Sequence, residues 1–437
     1  MSNYQRPNPS RVPPAHSATY TKSTRWIAML VAGVLGVVLF AGTAGAILYN
    51  DITGAVQNSV IDTSHLVAST PQSAQSEEEP LPTDSFEGRA VNLLVLGTDA
   101  RVGQENITGP EDTDPSMRAD TTLIMHISAD RQSATVVSIP RDIWMLIPEC
   151  QLADGSVSYE QWGQFNWAFF FGSGGGTDAN AMAGAIACTQ STVEQMTGIT
   201  FDGYAVFDFN GFASMIDALG GVEICLDDEL WDPEYLAMAF PAGCHVMNGV
   251  TATQFSRVRH VGDGSDMERI QRQQQMVGAI VKTALNTNML TNIPSLYQFL
   301  TATLNSSVIS PSLADINTDL GLVSSLKGID PANIRFVTMP VLTADFNMYR
   351  NVPKEPIDSE LWASLINDTP LPAGIVYQSM DGEYFTVGDD GTSIPGGSPR
   401  TDDEIGGIPG WDAYTYDQYI GGDGTSFAVP NWDNTAG

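Results

Sequence analysis

The chain has 437 residues and carries 51 Asp and Glu against 19 Lys and Arg, a formal charge of −32. So acidic a balance excludes a nucleic-acid partner, because binding a polyanion needs a broad basic footprint. The length leaves room for one large core with appended segments.

Residues 1–25 contain Arg6, Arg11, Lys22 and Arg25 and no Asp or Glu, and residues 26–50 contain no charge at all. This pattern predicts a cytoplasmic tail over 1–25 and a single transmembrane helix over 26–50. At ~1.5 Å per residue the helix reaches roughly 37 Å, enough for the ~30 Å hydrocarbon core, with Trp26 and Tyr49 at the two interfaces. The competing reading is a cleaved signal peptide. Ala44-Gly45-Ala46 resembles a cleavage site, but the apolar stretch exceeds the usual h-region of about 7–15 residues. The expected localisation is therefore the cell membrane, single-pass, with the bulk of the chain outside. That outer part holds 15 basic and 51 acidic residues, a formal charge of −36. Its four cysteines sit in a disulfide-permissive compartment. Of three possible pairings, Cys150–Cys188 with Cys225–Cys244 is favoured, mainly because the second closes a short loop. The absence of a C-x-x-C spacing weighs against a zinc site.

Residues 51–88 are rich in Ser, Pro, Thr and Glu and read as a stalk. From Val91 short apolar runs begin, "VNLLVLG", "TTLIMHIS", "ATVVSIP", "YAVFDF" and "GVEICL", which predict strands, several of them central. Helical patterns lie between, chiefly over 178–196, 211–219 and 266–285. The expectation is an α/β domain with a mixed sheet over 89–368. The acidic, Gly/Pro-rich extension 369–437 is expected to be disordered or loosely packed.

The chemistry concentrates in "RVRHVGDGSDMERIQRQQQ", where Arg257, Arg259, Arg269 and Arg272 fall within sixteen residues. Ser265-x-x-Glu268 reads as a capping box that starts a helix. Arg269 and Arg272 then share a side of that helix with Gln273 nearby, while Arg257 and Arg259 share a face if their segment is extended. Guanidinium forks match phosphate oxygens bidentately and keep their charge, so convergent Arg suggests a bound phosphate-like anion. Surface salt bridges with Asp266 and Glu268 are the plain alternative. Arg118 and Arg141 lie at strand ends, the usual place for ligand groups in open α/β sheets, together with Asp99, Asp120 and Asp142. Two carboxylates facing one phosphate call for a divalent cation, so the set reads as a Mg²⁺–pyrophosphate site. Asp142 and Asp266 are the candidate bases. No metalloprotease, nucleophile-elbow, P-loop or dinucleotide motif occurs.

In order, "LLVLGTDAR", "RADTTLI", "SIPRD", "FNWAFFFG", "FDFNGFASMIDALGGV", "NGVTATQFSRVRH" and "GDGSDMERIQRQQQ" closely resemble the LytR–CpsA–Psr family of envelope glycopolymer transferases. The resemblance implies an α/β/α domain that takes a polyprenyl-pyrophosphate-linked glycan and transfers it, as a phosphodiester, to a peptidoglycan hydroxyl, with the polyprenyl tail in an apolar channel. It implies that Arg118, Arg141, Arg257, Arg259 and Gln273 grip the pyrophosphate, that Asp99 and Asp120 hold Mg²⁺, and that Asp266 and Arg269 complete the site; Arg272 joins the pyrophosphate-binding set as one of the four convergent arginines. Departures are Ala252-Thr253 and Phe255 before the arginine pair, and a long acidic loop between Asp99 and Arg118. A polyprenyl-pyrophosphate phosphohydrolase and a non-catalytic wall-binding scaffold are the alternatives.

Overall fold

The apolar runs assemble into one nine-stranded sheet. Its strands are β1 (Val91–Thr98), β2 (Ala119–Ile127), β3 (Ala134–Ser138), β4 (Gly203–Phe207), β5 (Ser307–Ile309), β6 (Ile334–Thr338), β7 (Val376–Gln378), β8 (Tyr384–Val387) and β9 (Ser393–Pro395). Their spatial order is β5-β4-β1-β2-β3-β6-β7-β8-β9. β1 pairs parallel with β4, and β3 with β6; the other neighbours are antiparallel, so the sheet is mixed. This is a computed structural model. It describes residues 59–67, 84–99, 117–233, 235–236, 238–258, 261, 266–286, 293–304, 306–314, 316–399 and 404–420.

The helices are α1 (Trp167–Ser173), α2 (Ala179–Thr197), α3 (Phe209–Ala218), α4 (Gly249–Arg257), α5 (Asp266–Asn286), α6 (Ile293–Leu304), α7 (Ile316–Ser325), α8 (Ile357–Ile366) and α9 (Ala413–Ile420). The central strands are near-continuous Val, Ile and Leu because helices cover both faces. Leu94, Leu96, Ile124 and Val137 pack with Ile186 and Val193 of α2 and Leu361 and Leu365 of α8. On the opposite face Leu123, Val136 and Phe336 meet Val277, Val281 and Leu285 of α5. Asp178 caps α2 by accepting from the Ala181 N–H at 2.9 Å, and Asp208 caps α3 through the Gly211 N–H at 2.7 Å. α1 and α2 approach through glycine: a Cβ on Gly172 would lie 2.3 Å from the Gly184 carbonyl oxygen, so no larger residue fits without movement.

The cysteines are bonded Cys150–Cys188 and Cys225–Cys244. The first is buried beside Trp144, Trp167 and Phe171. The second joins directly opposed residues of the ribbon Val222–Leu226/Gly243–Met247.

Three expectations are corrected. No helix among the described residues is long and apolar enough to cross a membrane. The described fold is an α/β domain with a central mixed sheet, and neither the expected transmembrane helix nor the single-pass localisation read from it is found among the described residues. Residues 1–50, on which that expectation fell, lie outside the described residues. The chain after residue 368 is ordered through much of its length: β7, β8 and β9 extend the main sheet from the edge of β6, and Tyr416 of α9 is buried against Trp144. Finally, Arg257 ends a helix, not an extended segment. Asn248 caps α4 by accepting from the Thr251 N–H at 3.0 Å, and Ala252 and Phe255 bury its inner face.

Candidate active site

The site gathers at one end of β1, β2 and β3. Thr98 pairs with Ala119, which sets Asp99 and Asp120 at the same end of two neighbouring strands. Asp99 is buried; its backbone N–H donates to the Arg118 carbonyl at 3.0 Å, and its Oδ1 accepts from the Arg118 N–H at 2.7 Å. That exchange pins Arg118 to the strand end.

Asp120 is the hub. Arg141 Nη1 donates to its two carboxylate oxygens at 3.1 and 3.2 Å, and Asn166 Nδ2 donates to Oδ1 at 3.3 Å. Arg269 reaches it from α5, with Nη2 on the Asp120 main-chain oxygen at 3.3 Å and Nη1 3.8 Å from Oδ2. The Arg269 side chain is 4% exposed and that of Asp120 21%, so the cation stands behind the carboxylate. Asp142 follows in the same turn. Gln164 Nε2 donates to its Oδ1 at 2.6 Å, and Arg141 Nε lies 3.5 Å from its Oδ2.

The arginine-rich stretch 257–275 divides in two. Arg272 Nη2 donates to the Val258 carbonyl at 2.9 Å, tying α5 to the end of α4, and Nη1 lies 3.6 Å from Glu268 one turn back. Burial pulls the Arg272 guanidinium below its usual range, while Glu268 and Asp232 favour its charge. Arg257 lies over the rings of Phe209 and Tyr235, at 4.6 and 5.4 Å from their centroids. These contacts hold the cations over apolar ground, in addition to the Arg272–Glu268 ion pair that the plain alternative expects. Gln273 is half-buried on α5. The buried amide is its neighbour Gln274, which donates to Ser138 and Thr338. Asp266 is the first residue of α5, while Arg259 and Ser265, the expected cap, lie outside the described residues.

Sequence reasoning passed over Asn166, Gln164 and Asp232. Asn166 precedes a helix and reads as an ordinary cap, yet its side chain makes no capping bond. Asp232 is 1% exposed, in an acidic loop whose composition suggests solvent. Among the described residues, Glu223, Cys225 and Cys244 come close enough together for a metal. The two sulfurs are already bonded to each other, so no thiolate is on offer there.

The described residues thus form a mixed-sheet α/β domain that collects carboxylates and arginines at one strand end. The LytR_cpsA_psr family matches residues 58–365, and the chain belongs to it. The chain is 28% identical over 268 residues to the cell wall biosynthesis protein LcpA of Corynebacterium glutamicum, covering 59% of this chain and 51% of that protein. It is 23% identical over 228 residues to the polyisoprenyl-teichoic acid–peptidoglycan teichoic acid transferase TagU of Bacillus subtilis, covering 52% and 63%. The chain spans about half the length of the curated relatives it matches. Protein gbs0355 from Streptococcus agalactiae shares the fold, with a TM-score of 0.51 at 17% identity over 65% of this chain and 90% of that one.

Proposed function

We propose that this chain transfers a glycopolymer from a polyprenyl-pyrophosphate carrier to a hydroxyl of peptidoglycan. Family membership supports the general role. The observation that carries the chemistry is Asp120 held between Arg141 and the buried Arg269 at the end of the sheet. The acceptor oxygen attacks the phosphorus that bears the glycan. The bond from that phosphorus to the polyprenyl phosphate oxygen breaks, and polyprenyl phosphate leaves. The acceptor proton passes to Asp142 or Asp266. A phosphodiester joins acceptor and glycan.

Charge in such a transition state is spread over phosphate oxygens, so acceleration comes mainly from positioned cations. Arg118, Arg141, Arg257, Arg259, Arg269 and Arg272 supply them, with Gln273 as an uncharged donor. The donor set fits a divalent cation: two carboxylates end neighbouring strands, and the buried Asn166 Oδ1 has no hydrogen-bond partner among the described residues. Asp99 and Asp120 would hold Mg²⁺, which offsets pyrophosphate charge when bound. The polyprenyl tail is assigned to the apolar ground next to Arg257 and Arg272, where Ile216, Phe255, Met276 and Leu296 cluster.

The test supplies the protein with a synthetic polyprenyl-pyrophosphate saccharide and peptidoglycan. The expected products are glycan-phosphate on the peptidoglycan and polyprenyl phosphate. Release of free sugar phosphate alone would make the protein a hydrolase, and no release at all would make it a scaffold.

A further inference from the structure

The geometry points to Asn166 as a positioning residue that orients Asp120 and accepts a hydrogen bond from an O–H of the reaction. The inference rests on Asp120 belonging to the site. Asn166 stands at the start of α1, where an Asn side chain normally accepts from the helix's own N–H groups. Here it makes no capping bond. It turns to Asp120 and donates from Nδ2 at 3.3 Å.

The backbone leaves it little freedom. The Asn166 N–H donates to the Arg141 carbonyl at 3.2 Å, and the Phe165 N–H donates to that of Ile143 at 2.8 Å. These bonds continue the ladder that pairs Trp144–Ile147 with Gln161–Gln164, so Asn166 is fixed opposite the turn that carries Arg141 and Asp142. The residue is 5% exposed, and its buried Oδ1 has no hydrogen-bond partner among the described residues. A buried acceptor left unmade is unfavourable, and one placed against a candidate site is explained by a bound water, ion or ligand that meets it.

The partner we assign to it is an O–H donor next to Asp120, where the reaction brings one. Two sources share that chemistry: water on a divalent cation, and the acceptor hydroxyl. Asn166→Ala separates them. Mn²⁺ affinity is read by electron paramagnetic resonance without any substrate, and the acceptor KM is read from transfer. A loss of Mn²⁺ affinity of about tenfold or more supports the cation's water. Unchanged Mn²⁺ affinity with a similarly raised acceptor KM supports the hydroxyl. Both quantities unchanged overturn the proposal, and so does a change confined to the melting temperature. Should Asn166→Ala fail to fold, Asn166→Asp keeps the shape but sets a second carboxylate against Asp120. Wild-type transfer by that variant would also overturn the proposal. Asp120→Ala is the control: if it transfers normally, the reading of the whole site fails; if it is inactive while Asn166→Ala is normal, only the role of Asn166 falls.

Discussion

Replacing Arg269 by Lys tests whether the cation behind Asp120 acts through its charge or through its shape. The guanidinium spans two acceptors, the Asp120 main-chain oxygen at 3.3 Å and the carboxylate at 3.8 Å. An ammonium keeps the charge, but its single nitrogen cannot reproduce the planar fork. Losing one hydrogen bond to a charged group amounts to about 1.5–3 kcal/mol. If that loss falls on the transition state, transfer slows roughly ten- to a hundredfold. Stability should move far less, because Arg141 still contacts both Asp120 oxygens and that carboxylate is 21% exposed. The assay is the rate of glycan transfer from a polyprenyl-pyrophosphate saccharide, with the melting temperature measured alongside. Arg269→Ala should lower transfer at least as much. A Lys variant with near-normal turnover would refute the fork argument, and a normal Ala variant would remove Arg269 from the chemistry altogether.

Chelation should abolish transfer and Mg²⁺ restore it, while Asp99→Asn raises the Mg²⁺ needed for half-maximal rate; full activity in excess chelator would remove the cation from the mechanism. Burial pushes the Asp358 carboxyl up to about 7. Its folded value exceeds the ordinary 3.8, so stability is fully present below pH 3.8 and is lost as pH rises through about 7, by up to about 4 kcal/mol. Asp358→Asn should therefore stabilise the protein at pH 8 and do little at pH 4; a pH-independent effect in urea denaturation would contradict this. Arg131 is buried and donates to Asp84 and to the carbonyls of Phe86, Arg89 and Ser128. Arg131→Ala should cost about 3–5 kcal/mol by stranding the Asp84 carboxylate, whose side chain is 8% exposed, without changing the rate per folded molecule; denaturation and transfer measured on one sample decide it. Removing Cys150–Cys188, which closes the longer loop and sits in the core, should cost about 4 kcal/mol by loop entropy alone, against about 3 for the exposed Cys225–Cys244. Equal losses of melting temperature when each pair is separately replaced by Ser would contradict that ranking.

Local pattern determined a great deal of this protein. The runs "VNLLVLG", "TTLIMHIS" and "ATVVSIP" became β1, β2 and β3 because buried strands must be continuously apolar, and α2, α3 and α5 lie within two residues of their expected bounds because cap and periodicity act over one turn. The motifs likewise carried family membership and pointed at Asp120, Arg141 and Arg269. Their meeting was not legible in the same way. Arg269 reaches Asp120 across 149 residues of sequence, and only the packing of α5 on the sheet brings them together. β7, β8 and β9 are three or four residues long between Gly and Pro turns, too short for a periodicity to register; the open edge of β6 makes strands of them. Asn166 reads as a helix cap because helix starts favour Asn, and Gln274 reads as one more surface amide on α5. Tertiary contact turned the first to Asp120 and buried the second between Ser138 and Thr338. A side chain's neighbours along the chain fix its backbone, but its hydrogen-bond partner is chosen by whatever the fold sets within about 3 Å.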